Sequence, residues 1–254
     1  TAETESYDGS TWTEVNNLLT GRREGGGVGT STAALFIGGV ISPYTNQLIV
    51  ETWDGTSWTE ETDIPVATRN GGAAGTQTAA LYAGGYSTGF LATTDVWNGT
   101  TWTESNAINQ PRMMMAAAGT TTAALMAGGE IPSGTPPLGY CKFTETYDGT
   151  SWSETNDLNT QRTQSGGSGN SAAFICYSGQ IGSANNTVQS ESFDGTSWTE
   201  VGDLATGRNE MGYGSQGTQT STLATGGSTP GPTYYANTEV YADPVYTAKT
   251  VTVS

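Results

Sequence analysis

The chain has 254 residues, with 8 Lys+Arg against 24 Asp+Glu for a formal net charge of −16, no histidine and two cysteines. Without histidine there is no His-ligated zinc site, no Ser-His or Cys-His nucleophile pair and no histidine pH switch, and two cysteines cannot build a disulfide scaffold. The acidity repels nucleic acid and anionic membrane surfaces, and no apolar run approaches the roughly 18 residues of a membrane span. Neither a nucleic-acid partner nor membrane insertion is therefore expected. The start TAETESYDGS is not a signal peptide. Because it begins with Thr1 and not Met, we expect a processed chain or a piece of something longer.

Taken in chain order, the sequence repeats itself. An aromatic segment appears as ESYDGSTWTE (5–14), ETWDGTSWTE (51–60), TDVWNGTTWTE (94–104), TETYDGTSWSE (144–154) and SESFDGTSWTE (190–200). A sixth, degenerate copy begins at Thr238-Glu239-Val240-Tyr241. The repeated Trp12, Trp58, Trp102, Trp152 and Trp198 are 46, 44, 50 and 46 residues apart. Between these segments stand GTSTAALFIGG (29–39), GTQTAALYAGG (75–85), GTTTAALMAGG (119–129), GNSAAFICYSG (169–179) and GTQTSTLATGG (217–227).

Each aromatic segment reads as a hairpin, strands c and d, joined by Asp-Gly or Asn-Gly. That dipeptide predicts a type I′ turn with φ > 0 at both central residues. The hairpins fall near 3–15, 49–61, 93–105, 143–155, 189–201 and 237–253. The Gly-Thr blocks divide into a small-residue strand a and an apolar strand b. Strand b is apolar on both faces, as a strand held between neighbouring sheets must be. Four short strands every 44–50 residues predict an all-β fold, a single β-propeller over 1–254 with four-stranded blades. Five blades are expected, with six as the alternative. Strand a lines the axis, and Gly25, Gly26, Gly27, Gly71, Gly72, Ala73, Ala116, Ala117, Gly166 and Gly167 suit a narrow ring. Tyr7, Trp53, Trp97, Tyr147 and Phe193 on strand c face the Trp of strand d and bury area between blades. Five a–b units meet six c–d hairpins, so either terminal hairpin can complete the last blade, and the other is left to extend a sheet or contact another chain.

The Gly-Gly after strand b, the aromatic of strand c, the Trp of strand d and the Arg ahead of strand a together resemble kelch-repeat propellers over nearly the whole chain. Two features depart from kelch repeats. Four residues instead of six separate the aromatic from the Trp, and the fourth Gly-Gly is Ser178-Gly179. The Thr-rich, low-charge wording resembles repetitive kelch-like proteins of marine bacteriophages. That resemblance implies a structural or adhesive protein of a virion or its tail.

In such blades the d–a and b–c connections share one face. Arg23, Arg69, Arg112, Arg162 and Arg208 precede strand a there. They read either as a ring that holds an anion or acidic sugar, or as braces for their own loops. The b–c loops vary most, and Tyr44, Phe90, Tyr140, Tyr234 and Tyr235 are candidate contact aromatics for protein or sugar, unless they fold back over the blade edges. Pro43, Pro132, Pro136, Pro137, Pro230 and Pro232 stiffen these loops. On the other face, Asp8, Asp54, Asn98, Asp148 and Asp194 are turn residues, too few per turn to bind calcium.

Acids flank each hairpin: Glu5, Glu51, Asp95, Glu145, Glu191 and Glu239 before the aromatic, and Glu14, Glu60, Glu104, Glu154 and Glu200 after the Trp. Repeated once per blade on the outer half, they diverge and do not form the close carboxylate pair of a glycosidase. The expected charge map is acidic outer strands and one acidic face, with a basic ring at the other mouth. Cys141 and Cys176 read as free thiols, with a disulfide between adjacent blades as the alternative. Asn98-Gly99-Thr100 and Asn185-Asn186-Thr187 match the glycosylation sequon by composition.

These features predict a non-enzymatic interaction or structural module without cofactor or metal, on a virion or other extracellular particle, in tail- or fibre-associated adhesion. Its partners are a protein or cell-surface glycan, or other subunits reached through a terminal hairpin. A secreted glycan-binding lectin is the alternative and a propeller glycosidase the remote one.

Overall fold

The computed structural model describes residues 1–132, 139–182, 185–211, 217–229, 231, 233–242 and 245–249, the last as backbone only. Among these residues all regular structure is β. Hairpin β1 (Thr4–Tyr7) and β2 (Trp12–Val15) forms a sheet of two strands. Blade 1 begins with β3 (Gly26–Thr30) and β4 (Ala33–Ile37). After the short pair β5 (Val40–Ile41) and β6 (Thr45–Asn46), it ends with β7 (Val50–Trp53) and β8 (Trp58–Glu60). Blade 2 is β9 (Gly72–Thr76), β10 (Ala79–Ala83), β11 (Thr94–Trp97) and β12 (Trp102–Ser105). Blade 3 is β13 (Ala116–Thr120), β14 (Ala123–Ala127), β15 (Thr144–Tyr147) and β16 (Trp152–Glu154). Blade 4 is β17 (Gly166–Asn170) and β18 (Ala173–Tyr177), then the pair β19 (Gln180–Gly182) and β20 (Asn185–Asn186), then β21 (Ser190–Phe193) and β22 (Trp198–Val201). Blade 5 is β23 (Gly217–Thr218), β24 (Ser221–Thr225), β25 (Thr238–Ala242) and β26 (Val245–Lys249).

The five four-stranded antiparallel sheets form a five-bladed β-propeller. The C-terminal hairpin completes blade 5, since β24 pairs with β25 and β25 with β26. The N-terminal hairpin is therefore the one left over. Successive inner strands pack on one another from β3 to β9, β13, β17 and β23. Small residues permit this approach. A Cβ added at Gly72 would lie 2.8 Å from the Met126 Cε and 3.0 Å from the Ala117 Cβ of the next blade.

Apolar cores fill four seams. One joins Leu35, Ile37 and Val50 to Tyr82 and Trp97, and the next joins Leu81 and Ile108 to Met126, Tyr147 and Trp152. A third joins Leu125 and Leu158 to Phe174, Phe193 and Trp198, and a fourth joins Ile175 and Leu204 to Met211 and Tyr241. The pairs Trp97–Trp102, Tyr147–Trp152 and Phe193–Trp198 sit in these seams, and these together with Tyr7–Trp12 and Trp53–Trp58 have centroids 5.0–5.5 Å apart.

The hairpin turns differ from the expected type I′. Strand pairing ends at Tyr7↔Trp12, which leaves a loop of four residues. Only its glycine has positive φ, 98° at Gly9 and 92–98° in the equivalents. Asp8 Oδ1 accepts the backbone N–H of Ser10 and of Thr11, both at 2.8 Å. The same bonds recur at Asp54, Asn98, Asp148 and Asp194. The side chain organises the turn, so its own backbone need not enter the left-handed region. These bonds hold the four aspartates below the usual carboxylate range.

At Ser178, which replaces a glycine, φ is 56°. Its hydroxyl lies 2.8 Å from both the Thr187 and Arg208 carbonyls, either of which takes its one proton, and accepts the Arg208 N–H at 2.8 Å, which offsets the strain. Cys141 and Cys176 are free and buried, and burial raises both thiols. Pro136, Pro137, Pro230 and Pro232 lie outside the described residues.

Candidate functional site at the axial mouth

Of the two readings of these arginines, the structure shows the brace and not the ring. Arg112, Arg162 and Arg208 are fully buried. Arg112 pairs with Glu145 and Arg162 with Glu191, each at 2.5 Å, and Arg208 pairs with Glu239. In blade 1 this place belongs to Arg22, buried against Glu51, and not to Arg23. Register settles the assignment. Arg23 bridges Val40 as Arg69 bridges Tyr86, Met113 bridges Glu130, Thr163 bridges Gln180 and Asn209 bridges Ser228. Arg23 and Arg69 thus stand one position beyond the bracing site, and blade 2 has Thr68 there.

Besides its glutamate, each of Arg22, Arg162 and Arg208 ties the end of strand b and the start of strand c to the d–a loop, whereas Arg112 bonds to Glu145 alone. Arg162 donates to the Ser178 carbonyl at 3.2 Å and to the Gln189 carbonyl at 2.8 Å. Arg208 does the same at Gly226 and Asn237, both at 3.0 Å. The carboxylates also accept loop N–H groups, Asn109 at Glu145 and Asn159 at Glu191, both at 2.7 Å. A buried charge is tolerated when its partner and remaining polar atoms are satisfied, which holds for Arg162 and Arg208, whereas the buried Nε and Nη2 of Arg112 have no hydrogen-bond partner. The expected acidic outer band is therefore half right. Glu14, Glu60, Glu104, Glu154 and Glu200 are exposed, whereas Glu51, Glu145, Glu191 and Glu239 are interior. In blade 2 the equivalent acid is Asp95 and the bracing position is Thr68, so no arginine pairs with it among the described residues. Burial, and then Glu104 directly across the strands, push its carboxyl up to about 6.

What opens on the loop face is different. The second residue after each bracing position, Glu24, Asn70, Met114, Gln164 and Glu210, has φ between 54° and 61°. These residues join neighbouring blades around the axis. The Asn70 N–H donates to the Glu24 carbonyl at 2.7 Å, Met114 to Asn70 at 2.8 Å and Gln164 to Met114 at 3.0 Å. Left-handed backbone at non-glycine residues costs about 1 kcal/mol each and marks positions held by their surroundings.

Above this ring lies a cavity of about 530 Å³, lined by Arg23, Glu24, Gly25, Phe36, Tyr44, Met114, Gln164, Glu210, Met211 and Tyr234. Tyr44 is 69% and Tyr234 78% exposed. The Arg23 guanidinium lies 4.9 Å from the Tyr44 ring centroid and pairs with Glu24 at 3.0 Å. Arg69 stands alongside, 4.8 Å from the Tyr86 ring and 3.4 Å from Glu24.

Of the ten candidate residues, the cavity thus gathers Arg23, Tyr44 and Tyr234, with Arg69 adjacent. Phe90 instead packs edge-on against Tyr86, with centroids 5.6 Å apart. Half-buried Tyr140 bridges Glu130, and Tyr235 covers buried Arg208 at 5.3 Å. Glu24, Met114, Gln164 and Glu210 escaped the sequence reading. Counting seven back from Gly29, Gly75, Gly119 and Gly169 finds the bracing position of blades 1 to 4, with Glu24, Met114 and Gln164 two beyond it, whereas in blade 5 Gly217 stands nine after Arg208 and the count misses Glu210. The mouth is mixed in charge and rimmed by aromatics. No protein-family model and no curated protein matches the chain.

Proposed function

We propose that this protein is a non-enzymatic interaction module, a propeller that presents its loop face to a protein or glycan partner. The observation that carries the reading is the axial mouth. Two exposed tyrosines and Arg23 stand over a cavity of mixed polar and apolar lining, while the buried arginines and the acids they pair with are engaged as braces. Tyrosine supplies flat amphipathic contact area at low entropic cost, which suits recognition more than chemistry. The Thr/Ser/Gly-rich, weakly charged surface and the likeness to kelch-like phage repeats favour an extracellular or virion setting, such as tail- or fibre-associated adhesion. A lectin is the second reading, favoured by aromatic rings beside amide and carboxylate groups at the mouth.

A glycan array and a panel of surface-protein ectodomains, probed with a multivalent form of the chain, test this. Binding that falls about tenfold or more in Tyr44→Ala or Tyr234→Ala supports the reading, a loss of about 1.4 kcal/mol or more. Turnover of any glycan in the same panel overturns it.

A further inference from the structure

Contacts between neighbouring blades repeat around the ring. Trp152 Nε1 donates to Thr94 Oγ1 of the preceding blade at 2.9 Å, and Trp198 Nε1 to Thr144 Oγ1 at 3.2 Å. At the rim, Asn156 Nδ2 donates to the Thr196 carbonyl of the following blade at 2.8 Å. Hairpin β1–β2 makes both contacts. Trp12 Nε1 donates to Thr238 Oγ1 of blade 5 at 3.2 Å, and Asn16 Nδ2 to the Thr56 carbonyl of blade 1 at 2.7 Å. The hairpin therefore stands one blade step after blade 5 and one before blade 1, as the outer half of a further seat. Its inner half holds no strand among the described residues.

The walls of that half-seat are built for strands. Ala34 and Phe36 are half-buried, although their counterparts Ala80, Tyr82, Ala124, Met126, Phe174 and Cys176 are buried. Leu223 is half-buried where Leu35, Leu81, Leu125 and Ile175 are buried. Two adjoining apolar cavities of about 350 and 380 Å³ both reach Trp12, Ala34, Trp58 and Leu223. Strand β1 pairs with β2 alone, whereas every other strand c also pairs with a strand b. Glu5 is exposed and has no cation among the described residues, whereas Glu51, Glu145, Glu191 and Glu239 each hold a buried arginine.

We infer that this half-seat binds a β-hairpin of the repeat's own inner type from outside residues 1–254: a Gly/Ala-rich strand led by arginine, a Gly-Thr turn and an Ala-Ala-Leu-like strand. The apolar strand adds to the open edge of β1, its side chains fill the space between Phe36 and Leu223, and the arginine neutralises Glu5. A second copy is not the occupant, because its own inner strands are engaged in its blades. The inference does not depend on the reading of the axial mouth.

Blade 4 supplies the probe, since its hairpin 190–201 is nearly the sequence of 4–15. In one arm, a peptide of residues 161–179 is titrated into the protein and followed by tryptophan fluorescence. In the other, a copy of residues 160–189 is placed directly ahead of Thr4. The fused chain is expected to melt about 5 °C or more higher, with new slow-exchanging amides in the graft. Glu5→Gln, or Arg162→Met in the grafted copy alone, should cancel at least half of that gain. The peptide should bind the parent chain and not the fused one. A gain in the fused chain alone still supports the inference, because linkage raises the effective concentration of the hairpin. An unchanged melting temperature together with no peptide binding overturns it, and so does a parent dimer that Leu223→Glu dissociates.

Discussion

Hairpins 4–15 and 190–201 are almost the same peptide, TESYDGSTWTEV against SESFDGTSWTEV, in different surroundings. Locally they agree. Both have the same register and the same aspartate-organised turn, and their ring centroids lie 5.0 and 5.1 Å apart. Beyond the hairpin they diverge. Glu191 is 2% exposed and braced by Arg162, whereas Glu5 is exposed, and Trp198 is buried where Trp12 is only half-buried. A hairpin's shape is thus a property of its own twelve residues. The burial of its acid and tryptophan comes from the inner strands beside it. Blade 2 is the intermediate case. Its inner strands are present, but Thr68 and Asp95 stand where Arg and Glu form the brace.

The largest effect should come from breaking a brace. Arg162→Met leaves Glu191 buried without its cation, and urea unfolding should show a loss of about 3–5 kcal/mol. Trp198→Ala should cost about 3–5 kcal/mol, because the cavity opens within a closed seam. Trp12→Ala should cost less than half as much, and equal losses would erase the distinction between the two seams.

Next in size is the brace missing from blade 2. Asp95 has a folded-state pKa above its unfolded value, so the folded state holds the proton more tightly. Its contribution to stability is highest below about pH 4 and is lost as pH rises to about 6, by roughly 1–2 kcal/mol after allowance for solvent access. Asp95→Asn should flatten this fall in a pH series of melting curves. Thr68→Arg with Asp95→Glu should remove it and stabilise the protein by about 1 kcal/mol. The smallest effect belongs to Glu5→Gln, expected within about 0.5 kcal/mol of the parent in the same unfolding experiment.

Much of the architecture was legible because the repeat is local. Alternating residues, the Asp-Gly turn and the small residues of strand a act over a few positions, and their recurrence gave the blades and the aromatic pairs. The turn type was misread because the carboxylate of Asp8 and its equivalents does work that backbone dihedrals were expected to do. The arginines were misread by one position in blades 1 and 2, where Arg22-Arg23 and Thr68-Arg69 each place an arginine just beyond the brace. Tyr44 and Tyr234 stand out in the sequence as aromatics on variable loops, and both line the axial cavity. Glu24, Met114, Gln164 and Glu210 do not stand out, because no shared chemistry links an acid, a thioether and an amide; only a shared φ does.

By itself the sequence determined an all-β propeller with its blade order, hairpin register and seam-filling aromatics, since each depends on periods of two residues or of about 46. Tertiary structure decided which acids are interior, which arginines are braces and which terminal hairpin completes the last blade. Those outcomes depend on partners about 30 to more than 200 residues apart, such as Arg162 with Glu191 and Trp12 with Thr238, and these meet only once the ring has formed. Ring geometry, not local pattern, sets which charges must be paired out of water.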